Sequence, residues 1–468
     1  MEQPYSSTLS NAVNELRNDG LNNAVPLVSA LLLLHTIRRF EDHFGQLGVP
    51  FPEAAASQLT QLKLSAHDVF ESLETVLGQR LKFHKRLKTG WSSVTVPATD
   101  PAAIARSSRK IVLFVAQVSS GKSAQNALVE LGEACSDLLD HGGRSVVTSQ
   151  TPSSVAKLMA AQLDAQAGMR VLDPTCGVAR VLVEVVKEQV QQHKDPNDLE
   201  YVGQEIDPNA ALLGALHLML HGVVRFQIQV EDSLTQSTLK AEDFDRVAGD
   251  PPVALAIPHL VSDLQGDARF TFGGAPLPKT ADWLFVQHGL VALKPGGRAV
   301  FITAHGSMFR SGAEAAIRRD ILSAGWVSAV FALPSALYPN LALPLVMTIF
   351  ERPEEGARGR QDVLMIDAST SGTREARINV LSENVRQQLT TLIRDRAPSE
   401  PYTALVESER IFENKDAWQP NQYLDFEPDQ TRDLKVIEAD LQQQLEHLKA
   451  VEQDLQQAFD ALPRGLIA

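Results

Sequence analysis

Two adjacent prolines follow an acid in the stretch Ala248-Gly249-Asp250-Pro251-Pro252-Val253. Each proline fixes its own φ angle and removes a backbone N–H donor. An ionised Asp250 carboxylate only accepts hydrogen bonds. This carboxylate and the Pro251 carbonyl could therefore both accept from one planar amino group of a ligand. The alternative interpretation is a simple turn, because Asp-Pro is a common turn opener.

Three further acids, Asp173, Glu205 and Asp232, each follow a short apolar run. The first of them opens a loop in which Gly177 allows close approach of a ligand, and the next helix start offers free N–H groups. An acid after the second strand is where nucleotide-binding folds hold ribose hydroxyls. The set predicts a site for a ligand with an adenosine moiety. Taken singly, each acid could instead be a helix N-cap or a surface carboxylate.

The elements that must position these acids are short apolar runs that alternate with helical patterns. Such alternation predicts an α/β fold with a doubly wound, mostly parallel sheet. Sheets of this kind bind ligands at the carboxyl ends of their strands. We predict seven strands, at 170–172, 201–204, 226–230, 246–248, 298–303, 327–333 and 344–351, a further candidate at 361–366, and intervening helices that include 153–163, 180–192 and 208–221.

The flanking regions are predicted to be helical. We divide the chain into a helical N-terminal domain (1–145), a sheet domain (146–370) and a C-terminal tail (371–468). The segment 431–462 repeats leucine every seven residues, a coiled-coil pattern that favours helix–helix association, within the chain or with a partner. An amphipathic helix packed on its own chain is the alternative. The leucines are Leu434, Leu441, Leu448, Leu455 and Leu462.

The composition limits the class of protein. The chain has 468 residues, with 43 basic and 57 acidic side chains and a net charge of −14, which argues against a simple nucleic-acid coat. Two cysteines are too few for a disulfide framework or a four-thiolate zinc site. The apolar stretch 27–34, which Ser29 interrupts, is far shorter than the ~20 residues of a membrane span, and no other stretch comes closer to that length. We predict a cytoplasmic protein with no membrane contact.

Two local features have ordinary alternatives. The stretch 80–110 holds eight Lys or Arg side chains against one acid, and it fits a solvated face or a phosphate-contacting surface equally well. The tripeptide Gly121-Lys122-Ser123 suggests a phosphate-binding loop, but Ala116 stands where that motif needs a glycine. We therefore interpret the tripeptide as a connection between two helices.

The motifs along the chain, taken in order, resemble the amino-methyltransferases of DNA. The resemblance is strongest to the modification subunit of type I restriction–modification systems, an N6-adenine DNA methyltransferase, and it extends over most of the chain. It is carried by Thr151-Pro152, Asp173-Pro174-Thr175-Cys176-Gly177, Gly203-Gln204-Glu205-Ile206-Asp207-Pro208, Asp232-Ser233-Leu234, Asp250-Pro251-Pro252, Ala281-Asp282-Trp283, Lys294-Pro295-Gly296-Gly297, Phe309-Arg310-Ser311-Gly312 and Asn421-Gln422-Tyr423.

The resemblance implies a seven-stranded methyltransferase sheet that binds S-adenosyl-L-methionine without a metal. Asp173 would lie beside the amino-acid part of this donor, Glu205 would take the ribose hydroxyls and Asp232 the adenine amino group. The target adenine would be flipped out of double-stranded DNA. A separate specificity subunit, docked through 431–462, is the implied partner, with a restriction subunit as a further candidate. The implied donor-binding residues are Thr151, Asp173, Thr175, Cys176, Gly177, Glu205, Asp232 and Ser233, and the catalytic ones are Asp250, Pro251, Pro252 and Val253.

Two positions depart from the family pattern. Ala179 stands where the family has a second glycine, and its methyl group is expected to narrow the approach of the donor. Val253 stands where the family has Phe or Tyr to stack on the flipped base. Substitutes for this ring could come from Phe270, Phe272 or Trp283. The alternative hypothesis is a catalytically degenerate module that binds donor, DNA or partners. Methylation of RNA or of a protein glutamine is a lesser alternative.

Overall fold

The computed structural model describes residues 5–18, 21, 24–49, 51–52, 65–84, 94, 100–141, 151–339, 341, 343–375, 378–398 and 401–424. The predicted docking helix 431–462 lies outside these residues, as do Lys85, Arg86 and Lys88 of the basic stretch. The described strands are β1 (Leu81–Phe83), β2 (Arg170–Asp173), β3 (Glu200–Glu205), β4 (Phe226–Val230), β5 (Phe244–Gly249), β6 (Leu293–Ala304), β7 (Val327–Ala332), β8 (Leu345–Glu351), β9 (Asp362–Asp367), β10 (Thr373–Glu375), β11 (Ile378–Val380) and β12 (Thr403–Glu407).

Ten of these strands form one sheet in the order β1-β4-β3-β2-β5-β6-β8-β7-β9-β12, and β10 pairs with β11 separately. The pairing is parallel except where β8 meets β6 and β7 and where β12 meets β9. The fold class is therefore α/β and mostly parallel, as predicted. The predicted number of seven strands was wrong. β1 and β12 are the two edges of the sheet, and a short or half-exposed edge strand shows little of the apolar pattern on which strand prediction depends.

The helices that surround the sheet follow the predicted spacing. The three helices for which residue bounds were predicted begin and end within one residue of the observed bounds. Seven of the eight predicted strands begin and end within two residues of the observed ones. β6 begins earlier, at Leu293, because the Lys294-Pro295-Gly296-Gly297 segment is part of it. The described helices are α1 (Tyr5–Asn18), α2 (Val25–Arg39), α3 (Glu41–Gln46), α4 (Ala66–Leu77), α5 (Pro101–Ser119), α6 (Ala124–His141), α7 (Ser153–Leu163), α8 (Arg180–Gln191), α9 (Pro208–Leu220), α10 (Val261–Leu264), α11 (Asp282–Ala292), α12 (Ala313–Ser323), α13 (Glu383–Asp395) and α14 (Ser408–Glu413).

Side chains that alternate along the strands fill two cores on opposite faces of the sheet. In β2, Val171 packs with α7, α8, α9 and the N-terminal helices, whereas the next residue, Leu172, packs with α11 and α12. Because successive side chains of a strand point to opposite faces, an apolar strand can build both cores at once. Both faces are therefore covered, and the strand ends are the place left for a ligand.

Helix α9 shows how the sequence fixes the local structure near those strand ends. Its N-cap is Asp207, whose Oδ1 accepts from the backbone N–H of Asn209 at 2.9 Å, and Pro208 occupies the first turn. Such a cap and a first-turn proline start a helix favourably. After its first turn α9 is apolar on all sides except for the buried His217, and it packs against α2 and α6. Two residues therefore separate the end of β3 from the start of the helix.

Segments from both ends of the described chain pack on the sheet. β1 comes from the region predicted to be a helical N-terminal domain, so that region is not wholly helical. Helix α13 packs on α7, and Trp418 stacks edge-to-face on Trp283, so parts of the predicted tail contribute to the same body. The domain boundaries at 145/146 and 370/371 stay predictions.

The connection between α5 and α6 contains Gly121-Lys122-Ser123, as expected. Lys122 Nζ donates to Glu130 Oε1 at 2.5 Å, so this lysine is engaged in a surface ion pair. Lys110, in the basic stretch, likewise pairs with Glu15. Among the described helices, none has the length and apolar character that crossing a membrane requires.

Candidate active site

A cavity of about 490 Å³ opens at the carboxyl ends of β2, β3, β4 and β5. These four strands are neighbours and run parallel, so the residues after each of them meet at one edge. The volume is within the range of small-molecule sites, roughly 300–1,000 Å³. The cavity is lined by Pro174, Thr175, Gly177, Gln204, Glu205, Ile206, Asp207, Ala210, Asp232, Ser233, Leu234, Asp250, Pro252, Leu255, Ile257, Leu260 and Phe285.

The loop after β2 turns tightly into α8. Asp173 Oδ1 accepts from the backbone N–H of Thr175 at 3.0 Å, and the Asp173 side chain is almost wholly buried. Gly177 has a φ of 53°, in the left-handed region that glycine adopts without strain. The loop thus presents backbone groups of Thr175 and Gly177 at the cavity wall.

Ala179 also lies in the left-handed region, with a φ of 60°. Its methyl group is fully buried and faces α9, where a Cβ added to Gly214 would lie 3.3 Å from it. The expectation that this methyl group narrows the approach of the donor was therefore wrong. The substitution acts instead on the backbone, because an L-residue in this conformation costs roughly 1–2 kcal/mol.

Glu205 joins the first two loops of the site. Its Oε2 accepts from the N–H of Gly177 at 2.9 Å and its Oε1 accepts from the N–H of Asp207 at 2.8 Å. Two backbone donors hold the carboxylate in one orientation on the cavity wall. The carboxylate is thus placed to accept further hydrogen bonds from hydroxyl groups of a ligand.

The third loop is held by its own side chains and by an arginine that the sequence analysis missed. Asp232 accepts from the N–H of Leu234 at 2.9 Å and from Thr235 Oγ1 at 2.6 Å. The Ser233 hydroxyl donates to the Pro174 carbonyl at 2.5 Å, which ties this loop to the first. Arg269 donates to two carbonyls of the same loop, those of Ser233 at 2.7 Å and Leu234 at 2.5 Å.

The fourth loop carries Asp250 on the cavity wall. Its Oδ2 accepts from Thr151 Oγ1 at 2.6 Å and from the Tyr338 hydroxyl at 2.8 Å. Pro251 is buried, whereas Pro252 is exposed and lines the cavity. Thr151, predicted to bind the donor, is therefore bonded to the predicted catalytic acid.

Val253 is half-buried and packs against the core that contains α7 rather than lining the cavity. The next residue, Ala254, has a φ of 52°, and its N–H donates to buried Asp282 at 3.4 Å. The same Asp282 oxygen accepts from the N–H of Ala304 at 3.1 Å. Asp282 thus links the Asp-Pro-Pro loop to the end of β6.

Burial raises the pKa of three acids of the site, Asp173, Glu205 and Asp250. The pKa of Asp173 rises to about 8, because the side chain is buried and because Asp250 and Glu205 lie nearby. The pKa of Asp250 rises to about 6 through burial, although its two hydroxyl donors oppose the rise. Burial also raises the pKa of Glu205. A nearby positive charge would favour the ionised form of these buried carboxyl groups. The site therefore favours a cationic ligand.

The predicted substitutes for an aromatic ring do not reach the cavity. Phe270 is buried in the apolar cluster behind Phe285 and does not line the cavity, Phe272 stacks on Trp326, and Trp283 is buried against Trp418. Those three predictions were wrong, because each ring is used in core packing. The aromatic ring that lines the cavity is Phe285, from α11.

Cys176, predicted to bind the donor, packs into the sheet. A Cβ on Gly203 would lie 2.6 Å from its Sγ, and its N–H donates to the Gln204 carbonyl at 2.9 Å. It therefore shapes the loop from behind. Thr175, in contrast, lines the cavity, and its buried side chain lies beside the Asp173 carboxyl group.

The site residues that sequence reasoning missed are either apolar or bonded to partners that lie far away in the sequence. Ile206 is 65% exposed although it lies between two acids of the predicted site, and Phe285 is buried on α11 at the cavity wall. The one signal in the sequence was an isoleucine between two acids of a predicted binding loop. Tyr338 and Arg269 gave none, because their partners lie in distant segments of the chain.

The fold and the site together define the methyltransferase class of doubly wound α/β proteins: a mostly parallel sheet in which acids after β3, β4 and β5 line one cavity, while Asp173, at the end of β2, is buried behind the cavity wall. The match to the family model described as N-6 DNA Methylase covers residues 142–432, more than half of the chain. The chain belongs to this family, and the predicted family is confirmed. Within the described residues, no group of His, Cys, Asp and Glu side chains could hold a metal ion.

Curated relatives of this chain are methylase subunits of type I restriction enzymes. The MjaVII methylase subunit of Methanocaldococcus jannaschii is 28% identical over 276 residues, which cover 56% of this chain and 47% of that protein. The MpnII methylase subunit of Mycoplasma pneumoniae is 25% identical over 332 residues, or 67% of this chain and 60% of that protein. The chain spans about half the length of the curated relatives it matches.

Solved structures extend the likeness over nearly the whole chain. The type I restriction–modification methyltransferase subunit from Streptococcus thermophilus has a TM-score of 0.71 at 20% identity and covers 90% of this chain and 99% of its own. A chain from a structure of the type I R-M system has a TM-score of 0.64 at 19% identity and covers 99% of this chain and 100% of its own. At this identity, the likeness establishes the fold.

Proposed function

We propose that this chain is the methyltransferase subunit of a type I restriction–modification system and methylates N6 of adenine in double-stranded DNA. One observation carries the proposal: Asp250, at the head of the Asp-Pro-Pro loop, lines the same cavity as Glu205 and Asp232. Asp250, as an acceptor for the amino group of a substrate, therefore shares the cavity with Glu205, an acceptor for ribose hydroxyls, and with Asp232, an acceptor for the amino group of the donor. The family and the type I methylase relatives support the assignment.

The residues of the cavity fit S-adenosyl-L-methionine as the donor. When bound, this cofactor supplies a methyl group that is already activated by a sulfonium. Glu205 would accept from the ribose hydroxyls and Asp232 from the adenine amino group. Asp173 is buried beside the first loop, where the positive charge of a bound donor would favour the ionised form of this carboxyl group. Cys176 and Ser233 would act by shaping the loops.

Asp250 and Pro251 would then hold the substrate. The N6 amino group of a flipped adenine donates two hydrogen bonds, one to the Asp250 carboxylate and one to the Pro251 carbonyl. Both acceptors draw electron density toward the nitrogen and fix its direction. Positioning of this kind is a large part of catalysis when one reactant is already activated. Pro251 and Pro252 keep the loop rigid because their φ angles are fixed.

Double-stranded DNA and a specificity subunit are the proposed partners, and a restriction subunit is a further candidate. The acidic balance of the chain fits a division of labour in which another subunit reads the base sequence. The relatives are themselves subunits of type I restriction enzymes. The helix proposed at 431–462 would dock such a partner.

The test is methyl transfer by the chain assembled with its specificity subunit, using labelled donor, duplex DNA and nucleoside mass spectrometry. Asp250→Ala is expected to abolish the formation of N6-methyladenine while donor binding, measured by calorimetry, stays within a few-fold. Asp245→Ala, at the amino end of the same strand, is the control and should retain transfer. Equal loss of donor binding and transfer in the Asp250 variant would contradict the role assigned to this residue.

A catalytically degenerate module is the second candidate, and Val253 is the observation that favours it. The side chain at this position packs into the core and supplies no ring to the cavity. Base–aromatic stacking is worth about 1–3 kcal/mol per base, so its loss weakens the hold on a flipped adenine. A wild-type complex that binds donor and DNA but forms no N6-methyladenine would establish this alternative.

A further inference from the structure

Two hydroxyl groups converge on a single oxygen of Asp250. Thr151 Oγ1 donates to Oδ2 at 2.6 Å and the Tyr338 hydroxyl donates to the same atom at 2.8 Å. Thr151 immediately precedes Pro152 and α7, whereas Tyr338 belongs to the connection between β7 and β8. Segments 99 and 88 residues away therefore meet the end of β5 at one carboxylate oxygen.

The other carboxylate oxygen is left for a ligand. Among the described residues, the hydrogen bonds to the Asp250 side chain both fall on Oδ2, and Asp250 is on the cavity wall. Tyr338 is 8% exposed, so its hydroxyl bond is shielded from water. Hydrogen bonds to an ionised acceptor are shorter and stronger than neutral ones. Two such hydrogen bonds to Oδ2 fix the rotation of the Asp250 carboxylate and stabilise its ionised form.

We propose that Thr151 and Tyr338 are positioning residues that saturate Oδ2 of Asp250 and so reserve Oδ1 for the amino group of the substrate. This inference rests on the proposed function. An aspartate presents two equivalent acceptors, and an amino group could bind to either of them. Saturating one oxygen removes this ambiguity and leaves one line of approach, toward the Pro251 carbonyl. Thr151 thereby acts on the substrate side of the site, although the family resemblance implied donor binding.

The experiment compares Tyr338→Phe, Thr151→Val and Thr151→Ser in the complex with the specificity subunit. Single-turnover methyl transfer at saturating donor and DNA is measured from pH 6 to pH 8.5, and donor affinity is measured separately. Tyr338→Phe and Thr151→Val each remove one hydroxyl with little change of shape. Each should slow transfer by about 10-fold, the usual effect of losing a hydrogen bond to a charged group. Donor affinity should change by less than about 3-fold.

The pH dependence separates positioning from a structural role. Loss of a hydroxyl donor raises the pKa of Asp250 further, so the acid limb of the rate profile should move to higher pH and the deficit should be larger at pH 6 than at pH 8. Thr151→Ser keeps the hydroxyl and should restore the wild-type profile. Tyr201→Phe removes a buried tyrosine hydroxyl bonded to the Pro196 carbonyl, and it serves as the matched control.

The possible results distinguish a failure of the inference about Thr151 and Tyr338 from a failure of the proposed function. If the wild-type complex is active, and if Tyr338→Phe and Thr151→Val change neither the transfer rate nor the acid limb of its pH profile, the inference is overturned and the proposed function is not. A deficit that is equal at every pH and accompanied by a lower Tm would also overturn it, since the hydroxyls would then be only structural. A wild-type complex that binds donor and DNA but transfers no methyl group would overturn the proposed function, and the inference with it.

Discussion

The backbone N–H of Gly177 donates to Oε2 of Glu205 at 2.9 Å, across 28 residues of sequence. This bond joins the loop after β2 to the loop after β3, and both line the same cavity. The carboxylate of Glu205 therefore fixes the geometry of the glycine loop, and we propose that its remaining acceptor capacity serves a ligand.

Replacement of Glu205 by glutamine should weaken donor binding. Glutamine keeps the shape but loses the charge, and one end of its amide would present N–H groups where the Gly177 and Asp207 donors lie. We expect binding of S-adenosyl-L-methionine to weaken by about 10-fold or more, as for the loss of a charged hydrogen bond. Calorimetric titration of the purified chain measures this change. Glu200→Gln, at the amino end of the same strand, should bind donor as the wild type does.

Replacement of Asp173 by asparagine should change how stability depends on pH. Burial raises the pKa of this acid to about 8 from an ordinary value of 3.8. The folded state therefore favours the protonated form, and its contribution to stability is complete below about pH 4 and lost as the pH rises through about 8. Without donor, Asp173→Asn should unfold at least about 2 °C above wild type at pH 9, and the difference should shrink toward pH 5.

Thermal unfolding at pH 5, 7 and 9 measures this effect. Asp263→Asn, which alters an exposed carboxylate, is the control. A difference between the Asp173 variant and wild type that is the same at all three pH values would contradict the assignment. The same variant should bind donor more weakly, because the charge that opposes folding is the one that a cationic ligand uses.

Replacement of Ala179 by glycine should leave donor binding within about 3-fold of wild type, because the methyl group faces Gly214 and not the cavity. The change relieves a left-handed alanine, worth roughly 1–2 kcal/mol, but it removes a buried methyl group worth about 1 kcal/mol. The free energy of unfolding should therefore move by less than about 1 kcal/mol. Tighter donor binding by 10-fold would show instead that the methyl group obstructs the site.

Replacement of Val253 by phenylalanine should not raise methyl transfer. The half-buried side chain packs against the larger apolar core, so a larger ring would be forced into packed surroundings rather than toward a base. Overpacking of this kind costs typically about 1–3 kcal/mol. A lower Tm with an unchanged or reduced transfer rate is the expected result. A clear gain of transfer without loss of stability would show that this ring reaches the flipped adenine.

The sequence by itself determined the scaffold and the acids of the site. Each of Asp173, Glu205, Asp232 and Asp250 ends an apolar strand or follows it closely, and the carboxyl ends of parallel strands meet at one edge. Local alternation and the parallel direction that it predicts were thus sufficient to place these four residues at one edge of the sheet, whereas the order of the strands came from the structure. The same reasoning could not find β1 and β12, since edge strands lack a two-sided apolar pattern.

Only the tertiary structure decided which way the neighbouring side chains turn and what they meet. Cys176 and Val253 stand in the predicted motifs, yet their side chains pack behind the loops. Thr151 and Tyr338 reach Asp250 across 99 and 88 residues of sequence. Such contacts depend on how distant segments pack on the same strand end, and local periodicity carries no information about that packing.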